Sequence, residues 1–205
     1  MQLKSLKPRL ILASASPRRK ELLTQIGVQF QVAAQDIDES RRKGEQPLDF
    51  VTRIAGSKAD SALAKLLPGD DQVILAADTV VVCDSQLLGK PEDQTDGQRM
   101  LLSLSNRSHR VLTAVTLADR TQRQSLVCES TVSFGPISKQ QAAAYWLTGE
   151  PADKAGGYAI QGRAAVFVKH ISGSYSGIVG LPLFETAMLL EAFDIPVNEE
   201  LGAEG

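Results

Sequence analysis

A cluster of cations follows a short hydroxyl-rich segment near the N-terminus and could bind phosphate groups. Residues 10–23 read LILASASPRRKELL, so a short apolar strand leads into an amphipathic helix with Ser16 at its N-cap. The first turn of that helix carries three cations, Arg18, Arg19 and Lys20. The positive end of the helix dipole disfavours each of them by roughly 0.3–1 kcal/mol. A bound polyanion would remove this conflict, and a solvated basic turn is the alternative.

An aspartate lies in the middle of an apolar run, where an ionised carboxylate needs a partner. Residues 73–82 read VILAADTVVV and predict a buried strand with Asp78 at its centre. Because an unpaired buried carboxylate is strongly unfavourable, Asp78 must either have a cationic partner or face a cleft at a strand bend. An acid in such a place is a candidate general base or metal ligand, and a structural salt bridge or cap is the alternative.

Two further charged features could complete such a site. Three carboxylates lie within four residues of one another after the second predicted strand: Asp36, Asp38 and Glu39. They repel one another unless they are solvated or bound to a cation, so a solvated loop and a metal site both remain open. Lys58 lies near the apolar face of the next predicted helix, where a lysine usually packs its stem on the core and frees its ammonium.

Two glycine-containing regions could approach a ligand closely. Lys90 lies between Gly89 and Pro91, which favours an extended backbone, although an ordinary surface turn is equally consistent with it. It does not belong to a GxxxxGK[ST] phosphate-binding loop, because that pattern does not occur in the sequence. Residues 154–182 hold six of the 16 glycines, in loops that could bind a ligand through backbone N–H groups or serve as plain connections.

Hydrophobic periodicity and turn residues divide the chain into the elements that must position these groups. The predicted strands cover residues 9–13, 28–33, 73–82, 111–117, 125–134 and 164–171, with a hairpin over 83–88. The predicted helices cover residues 17–26, 47–67, 93–104, 138–147 and 182–193, and the tail 198–205 is expected to fray.

The composition excludes several classes of protein. The chain has 205 residues, 43% of them apolar and 22% charged, which fits one globular domain or one domain with two lobes. A net charge of -2 argues against a general nucleic-acid-binding protein, which would carry a basic face. The N-terminal apolar segment is too short for a signal peptide, and no run has transmembrane length. We therefore expect a cytoplasmic protein that does not contact membranes.

The cysteines and histidines do not form a recognisable reactive or metal-binding pattern. Cys83 and Cys128 lie far apart in strand-like runs and are expected to be buried free thiols, as in a reducing compartment. His109 has no acid and serine at the spacing that nucleophilic catalysis requires, and His170 ends a predicted strand. We expect both histidines to be structural.

Taken together, the motifs resemble those of one known family. They occur in the order SASPRRKELL, DE after the second strand, SKA, ADTVV, GKP, KAGGYAIQG and GLP. This combination is similar to that of the Maf (septum-formation-inhibitor-like) family of nucleoside triphosphate pyrophosphatases, and the resemblance extends from about Leu10 to Phe193. The YAIQG form at 158–162 resembles the branch that acts on dTTP and UTP, whereas the sister branch for 7-methyl-GTP differs in this loop.

The resemblance implies a fold, an activity and a cofactor. The fold would be a mixed α/β sheet with flanking helices, forming two lobes around a long cleft within one domain over 1–205, related in shape to the inosine-triphosphate pyrophosphatases. The activity would be hydrolysis of the α–β phosphoanhydride of dTTP and UTP, which gives the nucleoside monophosphate and pyrophosphate. The family requires a divalent cation, Mg²⁺ or Mn²⁺, and its members are often homodimers.

The resemblance also implies a role for individual residues. Asp78 matches the family's proton acceptor. The expected phosphate-binding residues are Ser14, Arg18, Arg19, Lys58 and Lys90. The positions expected to set base choice are Arg18, Thr79 and Gln161. The expected metal ligands are Glu39 and Asp38.

Two departures from the family pattern and two alternative functions remain. Asn106 replaces a glycine in a turn, which asparagine tolerates because it can enter the left-handed region. Ala159 replaces a commoner glycine and could narrow the base pocket. The same chemistry on a modified or different base is one alternative. The other alternative is a nucleotide-binding regulator of cell division with weak catalysis. For the biological role, the resemblance to the family suggests both nucleotide-pool cleaning and division arrest.

Overall fold

The computed structural model describes residues 9–198, which form a mixed sheet flanked by helices. Its strands are β1 (Leu10–Leu12), β2 (Phe30–Val32), β3 (Val73–Cys83), β4 (Gln86–Leu88), β5 (Ser108–Ala118), β6 (Arg123–Phe134) and β7 (Val168–Ser172). Its helices are α1 (Pro17–Gln25), α2 (Pro47–Leu63), α3 (Gln94–Ser103), α4 (Lys139–Trp146), α5 (Tyr175–Val179) and α6 (Leu183–Ala192). The predicted mixed α/β fold is therefore confirmed.

The long central strand β3 leaves part of one edge uncovered, and this gap positions the functional site. The sheet order is β2-β1-β3-β5-β6-β7, with β4 also paired to β3. On one edge of β3, the parallel strand β1 pairs only as far as Leu75, and the antiparallel strand β4 begins its pairing at Val81. Within the described part of the chain, no strand therefore covers residues 76–80 on that edge, whereas β5 pairs with them along the other edge.

Side-chain alternation on β3 sends neighbouring residues to opposite faces of the sheet. On the face of Asp78, α2 packs on the sheet through a cluster of Phe50, Val51, Ile54, Val80, Val82 and Leu112. On the face of Thr79, α1 and α6 contribute to a cluster of Leu22, Leu23, Leu75, Ala77, Leu190 and Phe193. Asp78 and Thr79 both lie at the uncovered edge of β3. Their side chains leave opposite faces of the sheet but line the same cleft.

Several predicted boundaries differ from the structure. Helix α2 ends at Leu63 rather than residue 67, because the amides of residues 65 and 66 bond to carbonyls three residues back and tighten the chain into a turn. The strand predicted over 164–171 is wrong in its first half. A 3-10 helix occupies Arg163–Phe167, and β7 follows it. Helix α5 was not predicted, and residues 199–205 of the expected frayed tail lie outside the described residues.

Other expectations from the sequence are confirmed. Cys83 and Cys128 are buried free thiols. Asn106 adopts a φ of 55°, in the left-handed region. His109 is buried, its Nε2 lies 2.7 Å from the hydroxyl of Tyr158, and burial lowers its pKa to about 4, so it is a neutral structural residue at neutral pH. Among the described residues, no helix is long and apolar enough to span a membrane.

Candidate active site

A cleft of about 670 Å³ opens at the uncovered edge of β3. We call residues 13–19 together with Glu39, Lys58 and Asp78 the charged wall, and residues 153–161 and 178–180 the glycine-rich wall. Nine of the ten residues predicted for the site line the cleft: Ser14, Arg18, Arg19, Glu39, Lys58, Asp78, Thr79, Lys90 and Gln161.

An ammonium group joins two carboxylates on the charged wall. Helix α2 directs Lys58 from its buried face toward β3, where Nζ lies 2.9 Å from Asp78 Oδ1. The same Nζ lies 2.8 Å from Oε1 of Glu39, in the loop that precedes α2. Asp78 therefore has the cationic partner that its burial requires and also faces the cleft, and each carboxylate keeps a second oxygen outside these two contacts.

The environment of Asp78 favours a role as a proton acceptor. The Asp78 residue is only 9% exposed, and burial raises the pKa of Asp78 above its ordinary value. The positive charges of Lys58 and Arg19 offset only part of this effect. A carboxylate with a raised pKa binds a proton more readily, which suits a general base at neutral pH.

Arg19 is buried and already bonded through three of its nitrogens. Its Nε donates to the carbonyl of Gly180 at 2.9 Å, its Nη1 to Ser14 Oγ at 3.1 Å, and its Nη2 to Thr79 Oγ1 at 3.2 Å. A guanidinium has five N–H donors, so two remain for a ligand. Burial lowers the pKa of Arg19 while Asp78 raises it, and an arginine keeps its charge in such a site. Arg19 thus links the two walls of the cleft.

The start of α1 offers further donors for an anion. Ser14 Oγ accepts hydrogen bonds from the Ser16 amide at 3.2 Å and from Arg19, which leaves its own hydrogen for a ligand. Ser16 occupies the predicted N-cap position, but its side chain makes no capping hydrogen bond. The first turn of α1 has no acidic residue. Its free backbone N–H groups and its dipole therefore suit phosphate.

The remaining predicted cations and Gln161 lie nearer the mouth of the cleft. Arg18 Nη1 lies 3.4 Å from Asp153 Oδ2, so a loose ion pair connects the charged wall with the glycine-rich wall. Asp153 also pairs with Lys154, a cleft-lining cation that the sequence motif contains but that we did not predict as a site residue. Lys90 and Gln161 are exposed on the cleft.

The loop that carries Gln161 is held by a carboxylate on its outer side. Glu150 accepts hydrogen bonds from the hydroxyl of Tyr145 at 2.6 Å, from the amide of Arg163 at 3.1 Å and from the amide of Ala164 at 3.4 Å. The Tyr145 hydroxyl in turn accepts from the Ala159 amide at 3.1 Å. These bonds fix the backbone on both sides of Gln161, and the amides they bind begin the 3-10 helix where a strand was predicted.

The structure brings together only part of the predicted metal site. Glu39 lies on the cleft with Asp78, whereas Asp38 does not line it and accepts the Ser40 amide at 2.8 Å. Hydrogen bonds from Ser40 lower the pKa of Asp38, which is consistent with a local turn-stabilising role. Within residues 9–198, no group of three or more His, Cys, Asp or Glu side chains could hold a metal ion.

Sequence reasoning missed residues whose partners are distant along the chain. Glu150 binds the amide of Arg163, which follows the loop of Gln161, and Thr113 binds the carbonyl of Gly177, next to the glycine-rich wall. Neither residue belongs to a recognisable motif. Thr113 could have been noted only as a polar residue in an apolar strand, VLTAVTL at 111–117. Glu150 gave no signal in the sequence, because it lies in a turn where an acidic residue is ordinary.

Comparisons with known proteins agree with this geometry. Residues 9–193 match the family model described as Maf-like protein. A dTTP/UTP pyrophosphatase of Saccharophagus degradans is 50% identical over 194 residues, which cover 94% of this chain and 92% of that protein. Two further proteins of that name, from Pseudoalteromonas translucida and Alkalilimnicola ehrlichii, are 51% and 50% identical and cover 89% and 92% of this chain, which in turn covers 95% of each. The chain therefore belongs to the Maf family.

Proposed function

We propose that this protein hydrolyses dTTP and UTP to the nucleoside monophosphate and pyrophosphate. The observation that carries this proposal is the buried Asp78, which has a raised pKa and is held by Lys58 in a cleft lined with cations. The names of the relatives support the same reaction and the same two substrates. We propose modified pyrimidine triphosphates as further substrates of the same cleft.

The charged wall provides what cleavage of a phosphoanhydride needs. We assign triphosphate binding to the first turn of α1, to Ser14 and to the cations that line the cleft, Arg18, Arg19, Lys58 and Lys90. Asp78 accepts a proton from the water that attacks the α-phosphorus. As the bond to the leaving pyrophosphate breaks, negative charge grows on that group, and the fixed cations stabilise it.

The donor set also fits a divalent cation. Glu39 keeps a carboxylate oxygen outside its bond to Lys58, and such an oxygen, together with substrate phosphates, is a ligand that Mg²⁺ prefers. We propose that Glu39 holds Mg²⁺ or Mn²⁺, that Asp78 keeps its free oxygen as the proton acceptor, and that Asp38 takes no part because it does not line the cleft. When bound, the ion neutralises phosphate charge and makes the phosphorus more electrophilic.

We also propose that the protein works in the cytoplasm as a homodimer. The two buried free thiols support a reducing compartment. An apolar pair on α6, Phe184 and Met188, is 75% and 52% exposed and supports contact with a second copy.

Product analysis tests the proposed reaction. Purified protein is incubated with Mg²⁺ or Mn²⁺ and a panel of canonical and modified nucleoside triphosphates, and the products are separated. We expect monophosphate and pyrophosphate from dTTP and UTP, and loss of both products when the metal is chelated. Orthophosphate together with a nucleoside diphosphate would contradict the assignment of the cleaved bond.

A further inference from the structure

The proposed metal ligand Glu39 lies on a loop that contains no helix or strand. The loop covers residues 33–46, between β2 and α2, and the Glu39 side chain is 50% exposed. Its one ion pair is the bond of 2.8 Å from Oε1 to Nζ of Lys58. A carboxylate on a free loop can take many positions, whereas Mg²⁺ binds well only when its ligands are held near octahedral geometry. The value of Glu39 as a ligand therefore depends on what holds the loop.

A largely buried ion pair fastens this loop to α2. Glu45 Oε1 accepts a hydrogen bond from Nε of Arg53 at 2.5 Å, and Glu45 Oε2 accepts one from Nη2 of Arg53 at 2.8 Å, so the pair is bidentate. The two side chains are only 8% and 18% exposed. Arg53 also lies over the ring of Phe50, with its Cζ 5.5 Å from the ring centroid. We call Glu45 and Arg53 together the loop clamp.

The loop clamp also binds the backbone beside Glu39. Nη2 of Arg53 donates a second hydrogen bond, to the carbonyl oxygen of Ser40, at 3.0 Å. Glu45 Oε2 accepts a further hydrogen bond from the amide of Arg42 at 3.0 Å. Because Ser40 directly follows Glu39 in the sequence, Arg53 connects α2 to the residue next to the proposed ligand.

We propose that the loop clamp positions Glu39 for the metal ion and so sets the metal affinity of the cleft. Neither clamp residue lines the cleft, so both act through Glu39 rather than by touching the ion or the substrate. Helix α2 carries Arg53 and Lys58, so the loop is fastened to the same helix that presents the partner of Glu39. Removing a residue that orients a metal ligand typically weakens metal binding by roughly 10–100-fold. This inference rests on the proposed function, which assigns the metal to Glu39.

Two variants break the loop clamp without changing a residue of the cleft. Glu45→Gln keeps the size of the side chain but replaces one acceptor oxygen with a donor. Arg53→Met keeps an apolar stem beside Phe50 but loses the guanidinium. The losses of metal affinity in the two variants should not add in the double variant, because both remove the same interaction. Arg53→Lys, which keeps the charge without the bidentate fork, replaces Arg53→Met if that variant does not fold.

Helix α2 also provides a control for a general loss of stability. Ile54 follows Arg53 in the sequence, is fully buried, and packs in the cluster between α2 and the sheet. Ile54→Val removes a buried methyl group and lowers the stability of the fold, but it removes none of the hydrogen bonds of the loop clamp. Its metal affinity should match that of the unmodified protein.

The experiment measures Mn²⁺ binding by electron paramagnetic resonance in the presence of the non-hydrolysable α,β-methylene analogue of dUTP. We expect Glu45→Gln and Arg53→Met to bind Mn²⁺ at least about tenfold more weakly than the unmodified protein. Because the ligand itself remains, kcat for dTTP should recover in both variants when Mn²⁺ is saturating.

Three results would overturn the inference. They are an unchanged Mn²⁺ affinity in both folded variants, an equal loss of affinity in Ile54→Val, and a loss of kcat that saturating Mn²⁺ does not restore. If the unmodified protein does not bind Mn²⁺, the metal assignment fails and this inference fails with it. Product analysis of the unmodified protein tests the proposed reaction separately, because the analogue is not hydrolysed.

Discussion

The two walls of the cleft are held in place by different forces. On the charged wall, ion pairs fix the side chains, with Lys58 between Glu39 and Asp78. On the glycine-rich wall, hydrogen bonds fix the backbone, since Glu150 accepts two amides and the Tyr145 hydroxyl behind the loop of Gln161. The first wall presents most of the charges to a ligand, and the second presents a shaped backbone, the amide of Gln161 and the cation Lys154.

This difference separates two tasks. Charges act on the triphosphate, which every nucleoside triphosphate shares, so they can provide the chemistry without distinguishing the bases. A rigid backbone with a few placed polar groups can distinguish the donors and acceptors of one base from those of another. We therefore expect substitutions of Lys58 and Asp78 on the charged wall to lower turnover of all nucleotides alike, and substitutions behind the glycine-rich wall to change the preference among them.

The largest effect is expected for Asp78→Asn. The variant keeps the size of the side chain but removes the proton acceptor, and kcat/KM should fall by roughly 10²–10⁴-fold for every nucleotide, with an unchanged ratio between dTTP and dCTP. Because burial raises the pKa of Asp78, kcat/KM of the unmodified protein should rise as the pH increases through that raised value. Full turnover by Asp78→Asn would exclude Asp78 as the general base.

A second, smaller effect is expected for Lys58→Met. The methionine fills the space of the lysine stem but removes the charge that lowers the pKa of Asp78, so this pKa should rise further. The acidic limb of the pH–rate profile should move to higher pH, and turnover at neutral pH should fall by roughly 10–100-fold for dTTP and dCTP together. Lys65 is an exposed lysine two residues beyond the end of α2. The variant Lys65→Met is therefore the control, and its pH–rate profile should match that of the unmodified protein.

These predictions depend on contacts that the sequence indicates only in part. Asp78 and Lys58 could be recognised because a buried strand with a central carboxylate needs a cation, and because the lysine lies on the apolar face of a helix. The starts of α1 and α4 were predictable from local capping signals, and Ser138 forms the capping box with Gln141. Such features depend on residues within a few positions of one another.

Other features depend on how distant segments meet and could not be predicted. The gap in the edge of β3 exists because β1 ends at Leu12, opposite Leu75, and β4 ends at Leu88, opposite Val81. Sequence periodicity does not determine how far strands pair. The apolar run at 164–171 predicted a strand, but Glu150 binds the amides of Arg163 and Ala164 and favours a 3-10 helix there. Tertiary hydrogen bonds therefore outweighed local propensity.

The smallest effect on turnover is expected for Glu150→Gln. Kcat for dTTP should change by no more than about threefold, while the preference for dTTP over dCTP should fall by up to about tenfold because the loop of Gln161 is less well held. Glutamine retains the size of the side chain and one acceptor oxygen, so folding should survive.

The stability of the fold in acid gives a second test of the role of Glu150. Burial opposes ionisation of Glu150, but hydrogen bonds from Tyr145, Arg163 and Ala164 lower its pKa below the ordinary value of 4.5. A carboxyl group whose pKa is lower in the folded chain than in the unfolded chain contributes its full stabilisation when the pH is above the unfolded-state pKa. This stabilisation is lost as the pH falls through the folded-state pKa. The unmodified protein should therefore lose more stability in acid than Glu150→Gln, and equal acid sensitivity in thermal melts would contradict this role.

A competition assay tests the separation of the two walls most directly. The unmodified protein, Lys58→Met and Glu150→Gln are each given equal concentrations of dTTP and dCTP, and the ratio of the two monophosphates is measured at low conversion. We predict that Lys58→Met slows formation of both products but keeps their ratio, whereas Glu150→Gln keeps the overall rate and lowers the ratio. If both variants change the ratio by the same factor, the two walls do not divide chemistry from base selection.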